Sequence, residues 1–566
     1  MDPHNPRHLF LALGPARPAI ERTLTQLACR HLPRRLWARD ARLWSADGEV
    51  QGAIGRRLGW LDGPDFAESR RPELESFAAE IRAAGYRRVL LLGMGGSSLA
   101  PEVFARSFPP ASGHPRVEVL DDTGPAAVRA ARDRAPLEQT LFVVSSKSGT
   151  TTETLAFLEY FWQQRRNPAG AAGRDFVAVT DPGTPLEELA RARGFRRVFL
   201  NPPDIGGRYS ALSYFGLVPA ALQGADLKGL ADRARDLAGR CGPGAAPLRN
   251  PGVYLGAVLG TLARLGRDKL TLLFSPGLAS LGTWIEQLVA ESTGKAGRGI
   301  VPVDGEPLAD PDAYGPDRVF VAMGLAGEPE PLAPATRRAL AARGHPVICW
   351  RLRDPLELGA EFLRWEIATA TAGAVLGINP FDEPNVAEAK AATRELLEQD
   401  PLPEGELDWQ DAGLSIFGAP GGGADAGTLL RRFLARARPY DYLALLAYLD
   451  RTPEVEARLK ALRRLLSERL GRATTLGHGP RYLHSTGQLH KGGPNHGVFL
   501  ILTADGDETV PVPGQPYDFG RLKRAQALGD VQVLRRHGRR VMRVHLADAA
   551  AGLDRLLAAL ERAWEH

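Results

Sequence analysis

The sequence predicts an α/β protein: two doubly wound, parallel-sheet domains, preceded by a helical N-terminal segment and followed by a C-terminal extension. Three observations carry this. Five short β-favouring runs, RVLLLG (88–93), RVEVLD (116–121), TLFVVS (140–145), FVAVTD (176–181) and RVFLNP (197–202), are separated by helix-length segments. Apolar runs of this length between helices belong to a parallel sheet covered on both faces. The pattern returns in KLTLLFSP (269–276), DRVFVAMG (317–324) and HPVICWRL (345–352), which predicts a second and smaller unit of the same kind. The chain of 566 residues is long enough for about three or four folding units with sizeable cores.

Taken in order, residues 1–80 hold helical patterns such as PAIERTLTQLACRHL and read as a packing element. Residues 81–240 and 241–400 form the two sheet domains, and 401–566 the C-terminal region. The stretch from 400 to 425 is rich in Gly, Asp and Pro without a period and reads as a flexible connection. A helical part near 427–470 follows, then a glycine- and histidine-rich loop at 477–497, then VFLILTA and RVMRVHLAD as strands.

Composition narrows the function. Lys+Arg 71 against Asp+Glu 66 leaves a net charge of +5, with the basic residues dispersed, which argues against a nucleic-acid partner. Cys29, Cys241 and Cys349 have no paired spacing; neither a disulfide framework nor a zinc site is expected, and a reducing compartment fits. MDPHNPRHLF lacks the basic start and apolar core of an export signal. The longest apolar stretch, IATATAGAVLGI (367–378), is too short to span a bilayer and reads as a buried helix. A cytoplasmic protein without a membrane partner is the expectation.

Only eight of the 71 basic residues are lysines, so a lysine inside SSKSGTTTET (145–154) is an unusual choice. Ser145, Ser146, Lys147, Ser148, Gly149, Thr150, Thr151 and Thr152 lie between a strand and a helix. Thr150 and Glu153 have the spacing of a capping box, but capping alone does not require Ser146, Ser148, Thr151 and a cation. Hydroxyls, open amides and one compact cation at a helix start match a phosphate monoester. Gly93, Gly95, Gly96, Ser97 and Ser98 make a similar turn after the first strand, in an order that is neither a dinucleotide fingerprint nor a Walker loop.

GMGGSSL and SSKSGTTTET resemble the phosphate-binding loops of the sugar isomerase (SIS) fold. IGGRYSALSYFGL (205–217) and QLVAESTGKAGRGI (287–300) resemble glucose-6-phosphate isomerases, and RLWSADGEVQGAIGRRLGWLD with LHSTGQLHKGGPN resembles the isomerase half of bifunctional transaldolase/glucose-6-phosphate isomerase proteins. The likeness spans residues 35 to 546, with no transaldolase portion recognisable. It implies two SIS-type domains and an aldose–ketose isomerase that interconverts glucose 6-phosphate and fructose 6-phosphate. The small-molecule partner is then a sugar phosphate, bound by Gly96, Ser97, Ser146, Lys147, Ser148, Thr151, Gly207, Gln287 and the residue at 383. A homodimer and a functional link to a transaldolase are further implications.

Moving a proton between adjacent carbons needs a base and a partner for the oxyanion that develops, but no metal or organic cofactor. The resemblance assigns the base to Glu291, in a predicted helix that ends near Gly294, and the stabilising cation to Arg208. Gln287 lies on the same helix face, four residues earlier. In NPFDEPNVAEAK (379–390) it assigns ring opening to Lys390, and Glu383 stands where most relatives have glutamine. The ring-opening histidine is assigned to His484, displaced in chain order to a point after Lys390, with Gln488 in an H-x-x-x-Q spacing and His490 and Lys491 as runners-up. The histidine spacings match no common zinc pattern. Two other readings stay open: an isomerase that also accepts mannose 6-phosphate, and a noncatalytic sugar-phosphate sensor.

Overall fold

The computed structural model describes residues 9–165, 172–411, 413–423, 425–506 and 509–565. Residues 1–8, most of the stretch read for an export signal, lie outside them. The described chain forms three α/β units rather than two. The N-terminal segment is not purely helical, because its first element, β1 (Leu9–Ala12), joins a sheet.

The first sheet comprises β2 (Arg88–Gly93), β3 (Arg116–Leu120), β4 (Thr140–Ser145), β5 (Phe176–Thr180) and β6 (Arg197–Leu200), all parallel in the order β3-β2-β4-β5-β6. The second comprises β7 (Lys269–Phe274), β8 (Val301–Asp304), β9 (Arg318–Leu325) and β10 (Val347–Leu352) in the order β8-β7-β9-β10, with β1 antiparallel on the edge of β10. It has as many strands as the first, so it is not the smaller unit the sequence predicts. The difference lies in β1 and in VPVD at 301–304, both too short to signal themselves.

The C-terminal region has its own sheet. β11 (Leu407–Asp411) and β12 (Leu414–Phe417) occupy the stretch read as a flexible connection. β13 (Tyr442–Tyr448) interrupts the stretch read as helical, and β14 (Ala473–His478), β15 (Gly497–Ala504) and β16 (Arg540–Leu546) complete the sheet. YLALLAY is an apolar run without alternation, buried along its whole length, and such a run does not separate strand from helix by period. The parallel order β14-β13-β15-β16 repeats the winding of the other two sheets, in each of which the chain lays its second strand on one side of the first and its third on the other. Ligands of such sheets bind at the carboxyl ends, where the order reverses.

IATATAGAVLGI falls largely within the buried helix Leu358–Leu376, which packs against the helix Pro251–Arg264. A Cβ on Gly256 would stand 2.3 Å from the Ala368 carbonyl oxygen, so the two helices pack backbone to backbone. Among the described residues no helix is long and apolar enough to cross a membrane. Cys29 is exposed, and Cys241 and Cys349 are buried and unpaired.

The helix Ala279–Thr293 packs on β7 and β8 and against the short helix Gly487–Gly492 of the third unit, and is buried along nearly its whole length. Its Glu286 faces Asp304 on β8 and Arg463 of the third unit; burial, with the Asp304 charge behind it, pushes the Glu286 carboxyl up to about 8. Asp304, pushed up by its own burial, reaches about 6. The folded protein therefore keeps a proton on Glu286 that the unfolded chain releases in the ordinary carboxylate range. This contribution to stability is full below that range, shrinks as pH rises and is gone above about 8. Replacing Glu286 by Gln should flatten the fall in stability between about pH 6 and about pH 9, read from urea unfolding midpoints at the two values.

Candidate active site

β2 and β4 are neighbours, with Gly93 opposite Ser145, so the glycine loop and the hydroxyl loop leave the first sheet side by side at its switch point. A Cβ on Gly96 would stand 2.1 Å from the Gly207 carbonyl oxygen; only glycine allows the glycine loop to lie against the turn that carries Arg208. Ser97 is buried in the same turn. In the second loop the Ser146 and Thr151 hydroxyls are 2.9 Å apart, Ser148 and Thr150 are 3.0 Å apart, and the Gly149 N–H donates to Ser146 Oγ at 3.2 Å. Gly149 has φ +66°, a left-handed turn that favours glycine. Lys147 pairs with Asp181, at the end of β5, and donates to the Pro203 carbonyl at 3.1 Å. Asp181 was missed by the reading of the loop alone.

The capping box does not form. The Thr150 N–H donates to Ser148 Oγ, and the buried Glu153 carboxylate reaches across the cleft to His484, Oε1 to Nε2, at 2.9 Å. Gln526 donates to the same oxygen at 2.7 Å and is held in turn by the Thr123 hydroxyl at 3.1 Å. Burial opposes the Glu153 charge, but His484 and, at longer range, Lys390 outweigh it and hold the carboxyl below its usual range.

Gln287 and Glu291 share one face of the helix Ala279–Thr293, and Gln287 Nε2 donates both to Glu291 Oε2 at 3.1 Å and to the His484 carbonyl at 2.8 Å. The Gln287 carbonyl oxygen is buried with no partner among the described residues, an acceptor left for a ligand hydroxyl. Arg208 is buried, donating to Ser292 Oγ at 2.8 Å, to the Pro380 and Asp382 carbonyls at 2.9 Å each, and to Glu383 at 2.9 Å. Its guanidinium lies 3.6 Å from Glu291. Burial pushes the Glu291 carboxyl up and Glu383 adds to it, while Arg208 restrains the shift. Glu383 is held down by Arg208 and then Arg57, against its burial. A carboxylate at 383 is thus balanced by two arginines. Lys295 pairs with Asp382 at 2.5 Å, which pins the segment before Glu383.

Gly294 ends the helix Ala279–Thr293 with φ −77°, so a left-handed cap is not its reason. A Cβ there would stand 2.4 Å from Leu489 Cα, and glycine admits the third unit. Gln488, fully buried, accepts from the Asn385 N–H at 2.9 Å and donates to Asn385 Oδ1 at 2.8 Å and to the Gly294 carbonyl at 3.0 Å. Asn385 opens the helix Val386–Leu397, on which Lys390 is exposed. His490 is buried among Phe499, Tyr482 and Tyr442, and Lys491 pairs with Asp530 at 2.6 Å. Both are core groups, which leaves His484 facing the cleft. His345 is likewise buried, against Phe320 and Tyr314.

One cleft therefore gathers a hydroxyl-and-lysine loop, a buried carboxylate beside a buried arginine, and a histidine on a carboxylate. The phosphoglucose isomerase family profile matches residues 76–297, which include both loops, Arg208, Gln287 and Glu291. A glucose-6-phosphate isomerase of Rubrobacter xylanophilus is 31% identical over 407 residues, 61% of this chain and 91% of that protein. One from Symbiobacterium thermophilum is 32% identical over 393 residues, 60% of this chain and 86% of that protein. The chain belongs to the glucose-6-phosphate isomerase family. It is an aldose–ketose isomerase of phosphosugars. The crystal structure of a hypothetical protein from Thermus thermophilus superposes with a TM-score of 0.56 at 28% identity, covering 69% of this chain and all of that one. Glu383, Lys390 and His484 lie beyond the residues the family profile matches.

Glu153→Gln keeps the shape but removes the negative charge on His484. Steady-state turnover should fall by about 10- to 100-fold, with the melting temperature shifted by only a few degrees.

Proposed function

We propose that the chain interconverts D-glucose 6-phosphate and D-fructose 6-phosphate. The observation that carries this is the pairing of the buried Glu291 carboxylate with Arg208 at 3.6 Å, in the cleft that also holds the Lys147 loop. The loop of Ser146, Lys147, Ser148 and Thr151 holds the phosphate, with Gly96 and Ser97 closing the adjoining turn. His484, held by Glu153, moves the proton that opens the ring, and Lys390 supports that step from the helix beginning at Val386. Both lie in one chain, so the reading needs no histidine from a second copy.

With the ring open, Glu291 takes the proton from C2 and returns it to C1. Desolvation makes its carboxylate a stronger base than one in water, and the developing enediolate oxygen draws on Arg208. Arg208 keeps its charge throughout: although its own burial opposes ionisation, Glu291 and Glu383 raise it above the usual guanidinium value. Gln287 offers its unpartnered carbonyl oxygen to a sugar hydroxyl. A binding protein without chemistry has no use for a buried carboxylate beside that arginine.

Glu291→Gln should lower kcat for glucose 6-phosphate by about 10²- to 10⁴-fold, while affinity for a nonreacting sugar phosphate, measured by calorimetry, stays within about threefold of the wild type. Retained turnover in this variant removes Glu291 as the base.

A further inference from the structure

Across the Lys147 loop and the Arg208 cluster together, the charges do not balance without a residue the family resemblance leaves unassigned. Asp181, Glu291 and Glu383 are acidic, and Lys147 and Arg208 supply two cations against them. Lys295 is committed to Asp382. A phosphate monoester adds close to two negative charges at neutral pH. Arg57 is the cation placed to meet them.

Its position is built by the N-terminal segment. Arg57 follows the helix Gly48–Gly55 and precedes Leu58, which bridges Ile205, and Gly59, whose N–H donates to the Asp204 carbonyl at 3.0 Å. The Leu58–Ile205 bridge and the Gly59 hydrogen bond fix this register. The strand-like contact lays Arg57 beside the Gly206–Gly207 turn, with one guanidinium nitrogen 3.9 Å from where a Cβ on Gly206 would lie. The other terminal nitrogen is 3.8 Å from Glu383 Oε1, an ion pair too long for a hydrogen bond. Among the described residues no acceptor takes the guanidinium N–H groups. The side chain is 35% exposed, and a Cβ on Gly207 would meet nothing within 4 Å, so this side of the turn is open. The charge of Arg57 also favours the ionised forms of Glu383 and of Asp181, whose carboxyl burial pushes up.

We propose that Arg57 is a substrate-binding residue, donating to the phosphate of the sugar opposite Lys147 and held by Glu383 when that phosphate is absent. A guanidinium with unused donors suits a phosphate in a way a compact ammonium does not. The assignment rests on the phosphosugar reading of the cleft, and inorganic phosphate as the probe separates the two. Arg57→Met should weaken calorimetric binding of inorganic phosphate by about tenfold and raise KM for glucose 6-phosphate to a similar degree, the loss falling on KM rather than on kcat. Arg57→Lys should recover part of it, and serves if the methionine variant folds poorly. The double variant Arg57→Met, Glu383→Gln decides between direct contact and mere neutralisation of Glu383: weak phosphate binding in it supports the contact, and wild-type binding overturns it. Phosphate binding by Arg57→Met within about twofold of the wild type also overturns it. A wild type that binds phosphate without isomerising glucose 6-phosphate would count against the proposed reaction and leave the role of Arg57 standing.

Discussion

The site depends on one buried carboxylate. Glu153 leaves the first sheet at the start of the helix after the Lys147 loop, and its charge is satisfied by His484 and Gln526 from the third unit. A carboxylate buried this deeply is costly unless hydrogen-bonded by opposite or polar partners. The third unit supplies those partners, and in doing so is held against the first. Gln488 repeats the logic with neutral groups, bonding the end of the Glu291 helix at Gly294 and the start of the Lys390 helix at Asn385 with a single amide. Both contacts are polar and directional, so they specify position as well as proximity.

Close backbone contacts do the remaining alignment. Gly96 lies on Gly207 and Gly294 on Leu489, each joining two segments distant in sequence at a separation no side chain permits, and the Gly59 N–H binds the Asp204 carbonyl. Where such contacts fix the turns, the functional groups on them inherit the placement. Arg208 illustrates this: with five polar partners around a buried guanidinium, it has little freedom to reorient, and a preorganised cation of this kind does its electrostatic work without rearranging during the reaction.

Much of this was legible in the residues. The five strands of the first sheet follow the apolar runs almost to the residue, because the three inner ones are buried along their whole length and each is bounded by turn chemistry. β8, β11, β12, β13 and β14 were not, since they are short or lie in segments whose composition fits helix or loop equally well. The loop of Ser146, Lys147 and Ser148 was visible as an excess of hydroxyls around a rare lysine, whereas Asp181 and Gln526 carry no local pattern and become partners only through tertiary packing. Glu153 shows the limit most clearly: its spacing from Thr150 satisfies a local rule, and a stronger demand from across the cleft takes the carboxylate instead. Glu383 stands where most relatives have glutamine, and the three-dimensional arrangement supplies Arg208 and Arg57 to offset its charge.

The third sheet repeats the winding of the other two, yet it brings His484 to a cleft whose buried Glu291 sits on the helix Ala279–Thr293. On the proposed assignment, cyclic and open-chain forms of the sugar are handled from opposite walls, and the seam between those walls is lined by Gln287, which touches Glu291 and the His484 carbonyl together. Loosening that seam would uncouple the two halves of the cycle: a chain parted there would still enolise the free aldehyde while leaving the pyranose untouched, an enzyme limited by the tiny fraction of sugar that is linear in water.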